Sequence, residues 1–306
     1  NLKKDFVGVS IDLDGKSSLP PGGRLEGSVS WKNNLTDKVT DGSLELFLSG
    51  GAIDKKTVGS TNGFYNSLTN SIVWDKSTIS SLGLINPGED GSANFNFAVL
   101  PLDRLPGGAI PPIGLQLVFK GTRVTSEEQS EDIISETEGQ LKIGTLVKFD
   151  TKATYFVGPF KNTGPLPPKV GEETTYTITW SVINPTNQVR QGRVSGKLPN
   201  YVKWLSFISP LDEKVIYDKT NNEVIWDLGT IEPGADSGLP SREVSFQISI
   251  TPSLSQLDSV VDLVKDINFG GIDVLTGDGI NAASPLINTR LSSDPSYTYG
   301  QEKVVE

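Results

Sequence analysis

The feature that most constrains this chain is an internal repeat, a series of landmarks that recurs in the same order about 150 residues further on. Tyr65 and Trp74-Asp75 return as Tyr217 and Trp226-Asp227 with no insertion between them. Phe6-Val7-Gly8 matches Phe156-Val157-Gly158, Leu19-Pro20-Pro21 matches Leu166-Pro167-Pro168, and Trp31 matches Trp180. Pro101 and Phe119 match Pro252 and Phe269. A collinear series that drifts by only a few residues marks a duplicated domain rather than chance. The expected organisation is residues 1–150 and 151–306 as two copies of one domain, joined near residues 151–158. The junction has no Gly/Ser-rich or Pro-rich spacer, which favours a stiff rod over two independent beads.

The segments between landmarks read as strands. Tyr176, Ile178, Trp180 and Val182 alternate with Thr175, Thr177, Thr179 and Ser181, the period of a half-buried strand. The first copy keeps that phase with Leu25, Val29 and Trp31 against Glu26, Ser28 and Ser30. Phe95, Phe97 and Val99 likewise answer to Phe246, Ile248 and Ile250. Asn86-Pro87-Gly88, Glu232-Pro233-Gly234, Asn184-Pro185 and Asn221-Asn222 punctuate the runs with turn residues. Leu254, Leu257, Val260, Val261 and Val264 recur at helical spacing, but their counterpart holds Pro106, Pro111 and Pro112, which a helix does not tolerate. Only a short helical turn is expected, at residues 253–258. The fold class is therefore all-β, two tandem immunoglobulin-like antiparallel β-sandwiches.

The 306 residues contain no histidine, cysteine or methionine. Serine–histidine and cysteine–histidine nucleophilic devices are excluded, as are the usual zinc sites and any disulfide framework. A net charge of −10 with a pI near 4.7 makes nucleic acid an unsuitable partner. No apolar run approaches the ~20 residues that a membrane span needs. A start at Asn1 rather than methionine points to a processed or excised chain. Thirty-seven acidic residues leave carboxylate-pair chemistry possible on paper, but nothing in the sequence brings two of them to one cleft. No catalytic, cofactor-binding or metal residue is assigned.

Several residues earn inspection. Asp75 and Asp227, each following a tryptophan, are expected to bond backbone at strand ends. Calcium is the one cofactor left open, through Asp12 and Asp14 or through Asp273 and Asp278. Lys16 stands where a calcium loop needs an oxygen donor, and turn chemistry is the favoured reading at both places. Tyr201, Trp204 and Phe207 offer a sugar-stacking platform only if they share a face, and strand phase opposes Trp204 to the other two. Leu19-Pro20-Pro21-Gly22-Gly23 resembles a wall-sorting signal but lacks an apolar tail, and Asn288, a conceivable partner in a lysine crosslink, has no counterpart in the first copy.

Residues 164–306 carry Gly164-Pro165-Leu166-Pro167-Pro168-Lys169-Val170-Gly171-Glu172, Leu198-Pro199-Asn200-Tyr201-Val202-Lys203-Trp204, Trp226-Asp227-Leu228-Gly229, Pro233-Gly234 and Thr251-Pro252-Ser253-Leu254-Ser255-Gln256. This half resembles the conserved-repeat immunoglobulin-like domains of unknown function on bacterial surface proteins, especially those of ultra-small candidate-phylum bacteria. Thr289-Arg290-Leu291-Ser292-Ser293-Asp294-Pro295 is similar to the end of such proteins, and a natural C-terminus near Glu306 is the expectation that this resemblance implies. The resemblance implies a secreted or tethered extracellular protein and supplies no catalytic residues. Copy one departs from it, lacking the Leu-Pro-x-Tyr-Val motif.

The functional expectation is a non-enzymatic structural protein of the bacterial cell surface, self-associating into a surface layer or filament. The alternative is a tandem-domain adhesin or stalk presenting a binding tip. Expected partners are other copies of the chain and other envelope components, with no nucleic acid. Residues 297–306 extend beyond the last repeated landmark and are the expected contact between subunits, whereas residues 5–12 are expected to pair within their own domain.

Overall fold

The structure is a computed structural model describing residues 6–106, 110–125, 129–234 and 242–306. The chain divides into two compact units, Asn1–Gly144 and Thr145–Glu306. The first contains β1 (Val7–Asp12), β2 (Ser18–Leu19), β3 (Arg24–Asn33), β4 (Lys38–Ser49), β5 (Ile53–Gly59), β6 (Phe64–Asn66), β7 (Ser71–Asp75), β8 (Leu84–Ile85), β9 (Asp90–Val99), β10 (Ile113–Val124) and β11 (Ser130–Ile143). The second contains β12 (Lys148–Thr154), β13 (Thr174–Ile183), β14 (Val189–Lys197), β15 (Val202–Ser209), β16 (Lys214–Asp218), β17 (Glu223–Ile231), β18 (Arg242–Ile250), β19 (Asp262–Asp273), β20 (Gly279–Ser284) and β21 (Ile287–Asn288).

Each unit is a sandwich with the same strand order. One sheet runs β1-β3-β9-β5 in the first unit and β12-β13-β18-β15 in the second; the facing sheets run β11-β10-β4-β7-β6 and β20-β19-β14-β17-β16. In immunoglobulin terms these are A-B-E-D and G-F-C, with a hairpin inserted between D and E and laid on the free edge of C. β2 adds an A′ strand parallel to the end of β11.

The alternation in sequence becomes the alternation of faces. Leu44, Leu46 and Leu48 of β4 and Ile113, Leu115, Leu117 and Phe119 of β10 are buried from one sheet, and Leu25, Val29, Phe95 and Phe97 meet them from the other. Tyr176, Ile178, Trp180, Phe246 and Ile248 do the same in the second unit. The inserted hairpins match residue for residue. Tyr65 Oη donates to Asn70 at 3.3 Å and Tyr217 Oη to Asn222 at 2.8 Å, while Leu48 N and Leu198 N donate to the carbonyls of Asn70 and Asn222. Both asparagines hold the left-handed conformation that their short polar side chains tolerate.

Two landmarks are out of register. Ile53 opposite Val99 and Val202 opposite Ile250 fix the alignment of the E strands. From there, Trp180 opposite Val244 corresponds to Val29 opposite Ala93, and Trp31 opposite Gly91 corresponds to Val182 opposite Arg242. The tryptophans share a strand and a face but stand one rung apart. Glycine accounts for the shift: a Cβ on Gly91 would lie 2.3 Å from the Trp31 ring, and one on Gly196 would lie 3.1 Å from the Trp180 ring. Val7 lies opposite Asn33 and Lys148 opposite Ile183, so Phe156-Val157-Gly158, which follows β12, is not the counterpart of Phe6-Val7-Gly8.

The expected helical turn is a 3₁₀ turn, Leu254–Gln256, with Ser253 and Gln256 forming a reciprocal capping box. Val261 and Val264 are buried at the start of β19 instead of on a helix.

The C-terminal segment differs from expectation. Val304 and Glu302 are buried, and residues 303–305 bridge to Lys169, Leu257 and Val260 of their own unit. Val305 N donates to Pro168 O and Val170 N to Val305 O, as Lys142 N and Gly144 N donate to Ser17 O and Leu19 O in the first unit. The last strand of the second unit is thus interrupted after β20 and completed by the C-terminal residues, whose ladder groups are used within the fold. β1 pairs with β3 as expected.

Tyr176 Oη is buried with no hydrogen-bond partner among the described residues, and burial pushes the phenol well above its usual range. Tyr176→Phe is therefore expected to leave stability unchanged or to raise it by about 1 kcal/mol, read by urea unfolding. A loss above about 1 kcal/mol would show that the hydroxyl has a partner in solution.

Candidate functional site

The acids singled out in the sequence serve the backbone. Asp75 Oδ1 accepts from Ser77 N at 2.8 Å, from Ser77 Oγ and from Thr78 N, which holds its carboxyl below the usual range. Asp227 Oδ1 accepts from Gly229 N at 3.1 Å. Asp12 closes a turn onto Asp14 N at 3.0 Å, and Asp14 pairs with Lys16 at 3.3 Å. Asp273 is buried. Its Oδ2 takes Thr145 N at 2.7 Å and Asn187 Nδ2 at 2.9 Å, and its Oδ1 takes Leu275 N at 2.8 Å and Thr276 N at 3.1 Å. Asp278 contributes its carbonyl to Asp273 N at 2.9 Å. Among the described residues no three acidic side chains converge as a metal centre. Asn288 Oδ1 accepts from Arg290 N at 3.0 Å in a local turn.

A partly buried ion pair lies in the second unit. Arg242 Nε and Nη2 donate to Glu213 at 2.7 and 2.6 Å, and Trp226 Nε1 donates to the same carboxylate at 2.7 Å. Burial pushes the Glu213 carboxyl up, but the Arg242 and Trp226 hydrogen bonds outweigh it, and the net direction is downward. A depressed folded-state pKa means that this stabilisation is fully present above the ordinary value of 4.5 and is lost as pH falls through the folded value. The stability gap between the wild type and Glu213→Gln should close as pH drops below that range in acid melting curves. A gap of constant size from pH 7 down to pH 3 would contradict the assignment.

Tyr201, Trp204 and Phe207 do not form a platform. Trp204 stacks on Tyr217 at 5.7 Å and meets Phe246 at 5.2 Å, whereas Phe207 lies against Phe160 at 6.3 Å and Tyr201 is partly exposed. A register shift between Trp204 and Ile208, with Ser206 in the left-handed region, re-aims this edge strand.

Edge strands are the remaining reactive feature. β5 carries Lys55-Lys56 and a register shift between Asp54 and Gly59, and β15 carries its own shift, both devices that discourage edge pairing. β16 has no shift. It pairs in unbroken register with β17 from Lys214 to Asp218, and Ile216, 60% exposed, sits at its centre. Phe64 occupies the matching place on β6 and is also exposed.

A cleft of about 460 Å³ lies on the outer face of β1, β3 and β9, lined by Asp12, Asp14, Glu26, Ser28, Asn94 and Asn96 among others. Sequence reasoning singled out Asp12 and Asp14 but missed Glu26, Asn94 and Asn96. The available signal was the polar side of the alternation, where the first copy has charged and amide residues and the second has threonine, serine and glutamine.

No family model and no curated protein matches the chain. Among solved structures, the major pilin subunit of Bacillus cereus aligns over 98% of this chain and 68% of its own, at 9% identity and a TM-score of 0.31. A cohesin–dockerin complex of Clostridium thermocellum aligns over 47% of this chain and 97% of its own, at 14% identity and a TM-score of 0.26. AvmM, which catalyses macrocyclisation in alchivemycin A biosynthesis, aligns over 46% of this chain and 91% of its own, at 11% identity and a TM-score of 0.29. Likenesses this distant span a pilin, a cohesin complex and an enzyme and carry no functional argument.

Proposed function

We propose that this chain is a non-enzymatic structural protein of the bacterial cell surface that self-associates into a layer or filament through the free edge of β16. The reading is supported chiefly by that edge: an unshifted five-residue strand, last in its sheet, with an exposed isoleucine at its centre. The acids' use as turn and loop clamps and the lack of histidine and cysteine fit a scaffold better than a catalyst. No helix among the described residues is long and apolar enough to cross a membrane.

The adhesin or stalk alternative is favoured by the open cleft of the first unit, which layer formation does not require. Electron microscopy of native envelopes, with the chain labelled, separates the two. Periodic sheets or filaments containing the label support assembly, and isolated projections without periodicity favour the stalk.

A further inference from the structure

We propose that a second cleft of the first unit, between β5 and the β6–β7 hairpin, binds a small aromatic carboxylate whose ring stacks on Tyr65 and whose acid group meets Lys55 and Asn70. The inference depends neither on self-association nor on the cleft of the outer face. It rests on the second unit, where the chain itself supplies a ring and a hydrogen-bond acceptor at the same place.

There, Trp204 of β15 bridges the edges of the two sheets. Its indole stacks on Tyr217 of β16 at 5.7 Å and 19° and meets Phe246 at 5.2 Å. Tyr217 Oη donates to Asn222 Oδ1 at 2.8 Å, and Asn222 Nδ2 donates in turn to Asn200 Oδ1 at 2.9 Å.

The first unit keeps the tyrosine and the asparagine but neither of their partners. Ile53 opposite Val99 corresponds to Val202 opposite Ile250, so Lys55, where β5 leaves its ladder, stands at the place of Trp204. Leu48 N and Leu198 N donate to the carbonyls of Asn70 and Asn222, so Gly50 stands at the place of Asn200. Tyr65 Oη still donates to Asn70 Oδ1 at 3.3 Å, but a glycine offers the Asn70 amide nitrogen no side-chain acceptor. Phe97 takes the place of Ile248 and stacks on Phe95 at 6.4 Å, which gives that ring a partner. No ring lies against Tyr65 among the described residues. What remains is a cleft of about 390 Å³, lined by Leu48, Ile53, Lys55, Tyr65, Thr69 and Asn70 among others.

The lining sets the chemistry of the occupant. Leu48 and Ile53 are buried and apolar, and Tyr65 presents the ring that its counterpart uses to hold an indole. Lys55 makes no ion pair among the described residues, Asn70 Nδ2 is a second donor, and the lining holds no acidic residue. Two donors, one of them charged, call for an anionic acceptor at the polar end of the ligand. An aliphatic acid would forgo the stacking, and a cationic ring would face Lys55. The volume is that of a small-molecule site and suits one ring with its acid group.

The test uses the intact chain and N-acetyl-tryptophan, with calorimetry for affinity and backbone amide chemical shifts for location. Binding should shift the amides of Tyr65, Thr69 and Asn70 and leave those of Tyr217 and Asn222 in place. N-acetyl-tryptophanamide, which lacks the carboxylate, should bind about two- to fivefold more weakly, and N-acetyl-leucine should not bind. Lys55→Trp, which supplies the ring of the second unit in cis, should raise the melting temperature and lose at least about tenfold in affinity. Lys55→Gln should melt like the wild type and bind the acid no better than the amide. A tetrapeptide ending in tryptophan with a free carboxylate should bind no tighter than N-acetyl-tryptophan; much tighter binding would overturn the small-molecule assignment in favour of a chain end. The proposal is overturned if N-acetyl-tryptophan fails to bind at millimolar concentration, if the shifts fall outside the cleft, if the amide binds as tightly as the acid, or if a folded Lys55→Trp variant binds as well as the wild type.

Discussion

Replacing Trp180 by alanine is expected to destabilise the second unit by roughly 3–5 kcal/mol. The indole is fully buried between the sheets, edge-on to Phe246 at 4.9 Å and packed over Gly196. The cost has two parts, the lost transfer free energy of the ring and the cavity left behind. Collapse is restricted because β13 is hydrogen-bonded on both sides, to β12 and to β18. One offset is present: Trp180 Nε1 is buried without a partner among the described residues, so Trp180→Phe should cost much less than the alanine variant. Urea unfolding followed by tryptophan fluorescence reads both. A loss under about 1 kcal/mol for the alanine variant would show that the ring is not a core element.

Asp273→Ala should cost at least about 3 kcal/mol for a different reason. The substitution removes little apolar contact but takes away the carboxylate that accepts from four donors at once, Thr145 N, Asn187 Nδ2, Leu275 N and Thr276 N. Each buried donor left without a partner costs roughly 1–3 kcal/mol, less where water can enter. Asp273→Asn, nearly the same shape, keeps an acceptor and should fall between alanine and wild type. If millimolar calcium raised the wild-type melting temperature and Asp273→Asn removed that response, the carboxylate would be a metal ligand rather than a clamp.

The alternation of Tyr176, Ile178 and Trp180 with threonines made the strand and its inner face legible, because period-2 patterning is a local property. The repeated spacing of Tyr65 and Trp74-Asp75 was equally legible, and Tyr65 and Tyr217 bond to Asn70 and Asn222 alike, whereas the Trp74 and Trp226 indoles donate to different partners, Ser60 and Glu213. Register between strands was not. Trp31 and Trp180 look equivalent in sequence, yet the space each ring fills is set by a glycine on another strand, Gly91 in one case and Gly196 in the other. The C-terminal segment was misread because an interrupted last strand leaves no local signal: the partners of Val304 and Val305 lie at Ser259 and Pro168, far off in sequence. The cleft beside Tyr65 was missed because what distinguishes it is Lys55 in place of Trp204, at positions that only the strand pairings align. The acids were read correctly as turn residues at Asp75 and Asp227, where the bonds span only two or three positions.

Self-association through β16 is the claim on which the functional reading stands, and sedimentation velocity of the intact chain over a concentration series tests it most directly. The wild type should shift to larger species as concentration rises, and Ile216→Lys, which places a charge at the centre of the free edge without touching the core, should remain monomeric with an unchanged melting temperature. A wild-type chain that stays monomeric at the highest attainable concentration, or assembly that Ile216→Lys leaves intact, would contradict it.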